Sequence, residues 1–266
     1  MSRSVGSRRQ FLTLWLFSLF APPWPTRAVA AVRHGVLGVD VALLYRAISL
    51  GLSGTVVETV DQKAGRYELS ASGNGRGLAS RFQSQGITRA GRWAPVHSSS
   101  WFRVAGRESQ TEVAYDYERR QALYKFRGET FFLRRVREAN DVVPIPDGTH
   151  LDDMTSALLN YADGRWTTGH DGAYHTSVVR RRRPEDEGLD DVQESYRAEI
   201  IPLVLRVSRD PATEKSTAAF DLSPFSSWAR SGWPARVVFG PDRRPQAISA
   251  SLILGTSVDI RIERSA

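Results

Sequence analysis

The chain contains no cysteine. That excludes a disulfide framework, a thiolate metal site, an iron–sulfur cluster, a cysteine nucleophile and an amino-terminal lipidated cysteine. Histidine is nearly as scarce, with five residues to build any metal centre. No cofactor-binding motif rises above background, so no cofactor is expected. Of the 36 basic side chains only three are lysine, the rest being arginine. We read this as a coding bias, because a phosphate-binding surface has no need to exclude lysine. No apolar run reaches the roughly 20 residues that a membrane-spanning helix requires.

What is present is an ordinary globular composition: 266 residues, 41% hydrophobic and 24% charged. This suffices for a sizeable core in one or two domains. The formal charge of +7 falls to +3 once Arg3, Arg8, Arg9 and Arg27 of the acid-free first thirty residues are set aside. A chain so mildly basic gives no reason to expect a nucleic-acid partner, whose binders carry a strongly basic face.

The amino terminus has the three-part layout of a secretory signal peptide. A basic stretch through Arg9 precedes an apolar stretch from Phe11 to Ala21, the breaker Pro22 to Pro25, and the small residues Ala28 and Ala30. The apolar stretch is too short for a permanent membrane anchor, and cleavage is expected after Ala30. Ser7 to Leu12 read SRRQFL, which resembles the twin-arginine export consensus in Arg8, Arg9, Phe11 and Leu12. The sequence therefore predicts residues 1–30 as a twin-arginine signal peptide and 31–266 as a single β-rich domain. The expected location is periplasmic or secreted, with the twin-arginine export machinery as a transient partner.

From Val36 onward, short alternating segments are separated by Gly, Pro, Asn or Asp, the period of half-buried strands. Tyr67, Leu69 and Ala71 alternate with Glu68, Ser70 and Ser72; Leu203, Leu205 and Val207 share one face; Val258, Ile260 and Ile262 share another. Weaker candidates are Tyr45–Val60, Arg81–Ile87, Trp101–Val104, Glu112–Tyr117, Ala122–Phe126, Thr130–Val136, Tyr174–Val179, Thr217–Leu222, Ala235–Phe239 and Ala247–Leu254. Around twelve strands imply a sandwich, barrel or strongly curved sheet. One apolar face per strand favours antiparallel pairing.

A single segment keeps helical spacing: Leu151, Met154, Leu158 and Tyr161, with Asp152 and Asp153 in the expected first turn and Gly164 beyond the end. The fold predicted is mainly β, a curved antiparallel sheet or open barrel wrapped around this one short helix, Leu151–Ala162. Arg180 to Gly188, four positive charges followed by Glu185, Asp186 and Glu187, reads as a solvated loop or hairpin tip.

Taken in order, Tyr45 to Gly54 with YELSASGNGRGLASRF after it, the DMTSAL run at Asp153 to Leu158, and the closing Phe239 to Glu263 resemble the bacterial family called domain of unknown function 3108. The resemblance spans roughly Tyr45 to Arg264. It departs from the family pattern in lacking a glycine after Asp242 and a proline after Asp153. It implies an exported, β-rich envelope protein and brings no catalytic residue with it.

Each candidate for chemistry has a plainer reading. His170 and His175 flank Asp171, but their spacing fits neither a zinc helix nor one strand face, and Gly172 suggests a turn. Neighbouring side chains diverge, so neither Asp152–Asp153 nor Asp190–Asp191 suits an acid–base pair. Ser156 lacks a nucleophile elbow. Gly73 to Gly77 lacks the helix and Lys of a phosphate loop and reads as a turn, with Asn74 and the glycines at positive φ. Arg134–Arg135 and Arg180–Arg183 could meet polyanions, with solvated loops the simpler account. Trp93, Trp101, Trp166, Trp228 and Trp233 suit either a ligand cleft or a β core, and core is favoured. The sequence assigns no catalytic, metal or ligand-binding residue. It favours a non-enzymatic protein that binds or carries an apolar or amphipathic envelope component, whether lipid, lipoprotein or glycan. The alternatives are an enzyme acting on envelope polysaccharide and a structural partner in an envelope assembly.

Overall fold

The computed structural model describes residues 30–264, apart from 44, 46, 185–186, 212, 227–228 and 230–231. Arg8, Arg9, Phe11, Leu12 and Ala28 lie outside the described residues, as does Trp228, while Ala30 leads directly into the first strand. Among the described residues no helix is long and apolar enough to cross a membrane.

The first eight strands are β1 (Ala31–Leu43), β2 (Ile48–Asp61), β3 (Arg66–Gly75), β4 (Leu78–Arg89), β5 (Arg92–Val104), β6 (Arg107–Asp116), β7 (Gln121–Glu129) and β8 (Val136–Pro144). A two-residue strand β9 (Leu151–Asp152) leads into helix α1 (Met154–Ala162). The remaining strands are β10 (Tyr174–Arg181), β11 (Ala198–Arg209), β12 (Ser216–Phe220), β13 (Ala235–Phe239), β14 (Pro245–Ser251) and β15 (Ser257–Arg264). All join one mainly antiparallel sheet, ordered β8-β7-β6-β5-β4-β3-β2-β1-β15-β14-β13-β12-β11-β10-β9. Each strand thus lies beside its chain neighbour except where β1 pairs with β15, Val36 opposite Glu263. Only β9 runs parallel to its partner.

The sheet curls until its two ends approach without closing. Ala139 of β8 bridges Tyr196 just before β11, and the Asp141 carboxylate accepts from the Ala198 amide at 2.9 Å. Strands β2 and β3 approach closely at two glycines. A Cβ on Gly54 or Gly75 would collide with backbone of the facing strand, so only glycine lets the strands approach there. The GNGRG segment is therefore mostly strand: Gly73, Asn74 and Gly75 end β3, and Arg76 with Gly77, the latter at φ +71°, makes the turn. This corrects the reading of the whole segment as a turn.

Alternation holds where it is clearest. Tyr67, Leu203 and Leu205 point into the core while Glu68 and Arg206 face water. The largest cluster packs Val178, Leu203, Leu205, Ala218, Val237 and Phe239 against Ala157 and Tyr161 of α1. Leu159 on another side of the helix meets Val60, Tyr67 and Trp93. The helix thus lies at the end of the curled sheet where β1 and β5 begin and β2 ends.

Three other expectations are corrected. Thr130–Val136 is not a strand: Arg134 has φ +55° and the Thr130 amide bonds Arg135 O at 2.8 Å, making this the β7–β8 turn. The helix begins at Met154 because Asp153 is its N-cap, in a capping box with Ser156; Leu151 and Asp152 pair instead with Ser177 and Val178 of β10. Gly164 does end it, at φ +67°, its amide reaching Tyr161 O and that of Arg165 reaching Asn160 O. The third concerns the arginine run at the end of β10, which belongs to the cavity.

Candidate ligand cavity

At the end of the curled sheet away from α1 lies a cavity of about 700 Å³. One wall is aliphatic: Val41 and Leu43 of β1, Leu52 of β2, Leu78 of β4, and Val258 and Ile260 of β15. These are the inward members of alternating strands, laid side by side by the β1–β15 seam. Ser80, Phe126 and Phe131 also line the space, the last brought in by the β7–β8 turn.

The opposite wall is cationic, formed by Arg107, Arg137, Arg180, Arg181 and Arg183. Far from being a solvated tip, Arg180, Arg181 and Arg183 are largely buried, with side chains 12% to 17% exposed. A carboxylate from the same loop draws them in. Glu187 is itself buried and accepts from Arg181 Nη1 at 2.8 Å and Nη2 at 2.6 Å. Arg137 and Arg183 approach it at 3.8 and 4.0 Å. Burial alone would raise the Glu187 pKa, but the Arg181 hydrogen bonds and charge more than offset this and hold it low.

The rest of the wall is satisfied largely by main-chain oxygens. Arg137 donates to Asp191 O at 2.6 Å and Gly188 O at 2.8 Å; Arg183 to Ser223 O at 2.9 Å and Ser226 O at 2.7 Å. Arg180 pairs with Glu199 at 2.5 Å and also donates to Pro224 O. Its pKa is lowered, first by desolvation and then by the like charges of Arg183 and Arg181. Arg107 donates to Ala105 O at 2.6 Å and lies over the Phe131 ring. Among the described residues, Glu187 and Glu199 are the carboxylates that pair with four of these five guanidinium groups. The other acids of the lining, Glu108 and Glu129, turn to Arg103 and Arg134. Two buried donors on this wall, Nε of Arg107 and Nε of Arg180, have no hydrogen-bond partner.

The opposite end of the molecule holds a second polar centre. Asp152 is fully buried, and its Oδ2 accepts from Arg92 at 2.7 Å and Thr176 at 2.6 Å. Its Oδ1 accepts from Ser156 at 2.6 Å and Asn160 at 2.9 Å. Asn160 also exchanges bonds with the Trp93 main chain, donating at 2.8 Å and accepting at 2.7 Å, which ties α1 to β5. Asp153 accepts from the Ser156 amide at 2.7 Å and Ser84 Oγ at 2.6 Å. Burial, with the neighbouring Asp152 charge adding to it, pushes the Asp153 carboxyl up to about 6 against those hydrogen bonds. A third buried group, Arg244, joins Glu58 at 2.9 Å and Asp163 at 2.8 Å. Every acid here already has donors, so the arrangement locks the helix to the sheet rather than presenting a carboxylate to a substrate.

The other residues singled out by sequence lie apart. His175 pairs with Asp171 at 2.8 Å on the surface, and Gly172, at φ +73°, makes the turn between His170 and His175. Among the described residues no three His, Asp or Glu side chains form a metal-holding group. Asp190 accepts from the Phe132 and Leu133 amides, holding the β7–β8 turn, and Asp191 accepts from the Gly188 amide. Arg134 is exposed beside Glu129. Trp93 and Trp166 are core residues, Trp101 is half-buried under Arg103, and Trp233 is 50% exposed. Sequence reasoning missed Arg107, Arg137 and all of β1. The signal for β1 was present in the alternation of Leu37, Val39, Val41 and Leu43, obscured by apolar Val36 before them and Ala42 among them.

No family model matches the chain, and no curated protein matches it. Among solved structures it is similar to the β-barrel-like protein of domain of unknown function DUF1849 from Brucella abortus, with 12% identity and a TM-score of 0.42. The match covers 90% of this chain and 99% of that one. The class defined by the fold is a mainly β protein built as one large, unclosed curved sheet with a single short helix.

Proposed function

We propose that this is an exported periplasmic protein that binds or carries an apolar or amphipathic component of the cell envelope. The observation that carries the reading is the cavity of about 700 Å³ with a continuous aliphatic wall. Its volume falls within the roughly 300–1,000 Å³ of small-molecule sites, and apolar walls with a few convergent polar groups are their usual construction. The SRRQFL motif and the Ala28/Ala30 pair support the address, and the order of the three resembling segments supports membership of the domain of unknown function 3108 family.

Native mass spectrometry of the protein purified from its own periplasm tests the binding reading. A bound lipid or lipid-like molecule released on denaturation is expected. A ligand-free mass, with no uptake when the protein is incubated with an envelope lipid extract, would overturn it. Export has its own test: Arg8→Lys with Arg9→Lys should hold the protein in the cytoplasm, and normal export would refute the twin-arginine route.

A further inference from the structure

We propose that the arginine wall is a headgroup subsite, so that the ligand is an amphiphile carrying a single oxyanion, a carboxylate or a phosphate, with its chain along the aliphatic wall. This rests on the cavity being the binding site and names the chemistry it selects. The argument starts from charge. Five guanidinium groups border the space, and among the described residues Glu187 and Glu199 pair with four of them, leaving Arg107 at the edge of an apolar volume with no carboxylate partner. Burying uncompensated charge is costly, and native structures accept it where a counter-charge arrives from elsewhere.

Hydrogen bonding points the same way. Nε of Arg107 and Nε of Arg180 are buried donors without acceptors, on opposite sides of the wall: Arg107 on β6 and Arg180 at the end of β10. Arg107 has no carboxylate partner among the described residues; Ala105 O and the Phe131 face are its contacts. Guanidinium donors match the planar oxygens of carboxylate and the oxygens of phosphate. Meanwhile Arg137, Arg181 and Arg183 are held by Glu187 and main-chain oxygens, so the wall is positioned before a ligand enters. The aliphatic side offers neutral hydroxyls, Ser80 and the unpaired Thr256 Oγ1, but no positive charge, which sets the direction of insertion: anion toward Arg107 and Arg180, chain toward Leu52, Leu78 and Ile260.

The experiment is competitive displacement of a fluorescent acyl probe from the delipidated protein by four single-chain amphiphiles: palmitate, hexadecyl phosphate, hexadecanol and hexadecyltrimethylammonium. The two anions are expected to bind at least roughly tenfold more tightly than the alcohol, as charge-assisted hydrogen bonds imply. The cation should bind worst. A preference between palmitate and hexadecyl phosphate identifies which oxyanion the wall takes. Arg107→Leu should weaken anion binding roughly tenfold while leaving hexadecanol unchanged, and Arg107→Lys should restore part of the loss. Equal affinity of anions and alcohol would overturn the headgroup assignment and leave the apolar site standing. Failure of all four to displace the probe, or of the probe to bind, would overturn both. Arg107 takes no part in a buried ion pair, so its variants are expected to unfold cooperatively near the wild-type midpoint, which circular dichroism checks.

Discussion

Replacing Asp152 by alanine should destabilise the protein more than any other single polar substitution at the helix end. The carboxylate is completely buried and receives donors from four side chains, Arg92, Thr176, Ser156 and Asn160, drawn from β5, β10 and α1. Deleting it leaves a guanidinium without its counter-charge, takes the acceptor from Thr176, and leaves Asn160 and Ser156 with one acceptor each, Trp93 O and Asp153 O. Removing one partner of a buried charge pair costs roughly 3–5 kcal/mol. The Arg92 side chain keeps 20% exposure, and water can recover part of that loss. The lower end, about 3 kcal/mol, is therefore expected, or roughly 6–12 °C in melting temperature for a chain of this size. Urea unfolding followed by tryptophan fluorescence measures it, since Trp93 lies beside the network. Asp152→Asn keeps the shape and one acceptor and should lose less. Adding Arg92→Met to Asp152→Ala removes the orphaned charge and should restore part of the stability. A loss below about 1 kcal/mol for Asp152→Ala, or simple additivity in the double variant, would refute the hub.

Three other outcomes follow from particular contacts. The Asp153 carboxyl, at about 6 when folded against an ordinary 3.8, takes up a proton more readily in the folded protein. Stability should therefore fall as pH rises from about 4 to 6, by an amount on the order of 3 kcal/mol. In Asp153→Asn, which can still cap α1, denaturant midpoints across pH should lose that decline; an unchanged profile would contradict the assignment. Leu159→Ala, which removes the side chain packed on Val60, Tyr67 and Trp93, should cost roughly 2–5 kcal/mol by urea denaturation. Ser80→Phe, which places a ring inside the cavity, should abolish uptake of the acyl probe while shifting the thermal midpoint little; undiminished uptake would move the binding site elsewhere.

The fold class was legible because its signal is local. Alternation at Tyr67–Ala71, Leu203–Val207 and Val258–Ile262 records one buried face per strand, and that reading survives in the structure. The helix too was legible, from its spacing and its terminal glycine. Boundaries failed where side-chain chemistry overrode periodicity. Asp152 continues the helical pattern in sequence, but its carboxylate is claimed by Thr176 and Arg92, so the residue pairs with β10 instead. The arginine wall was illegible for a different reason. A run of arginines followed by acids looks the same whether hydrated or buried, and only the fold brings Arg107 and Arg137 beside it, some 40 to 75 positions earlier in the chain. The DRRP segment shows the same limit: Arg244 reads as a turn residue, and its partners Glu58 and Asp163 are distant in sequence.

The seam between β1 and β15 also sets a timetable. Its cross-strand ion pair, Asp40 with Arg261, joins positions 221 residues apart. Every other neighbouring pair in the sheet is close in the chain, so two meanders can assemble early and independently, each leaving one raw edge. Their joining waits for the last strand and requires the largest loop closure in the molecule, the kind of contact that slows folding most. Until then the aliphatic wall is split, with Val41 and Leu43 on one meander and Val258 and Ile260 on the other. The pocket is thus the final part of the protein to come into being, and a chain lacking β15 would lose Val258 and Ile260, expose Val41 and Leu43, and leave the edges of β1 and β14 open to aggregation.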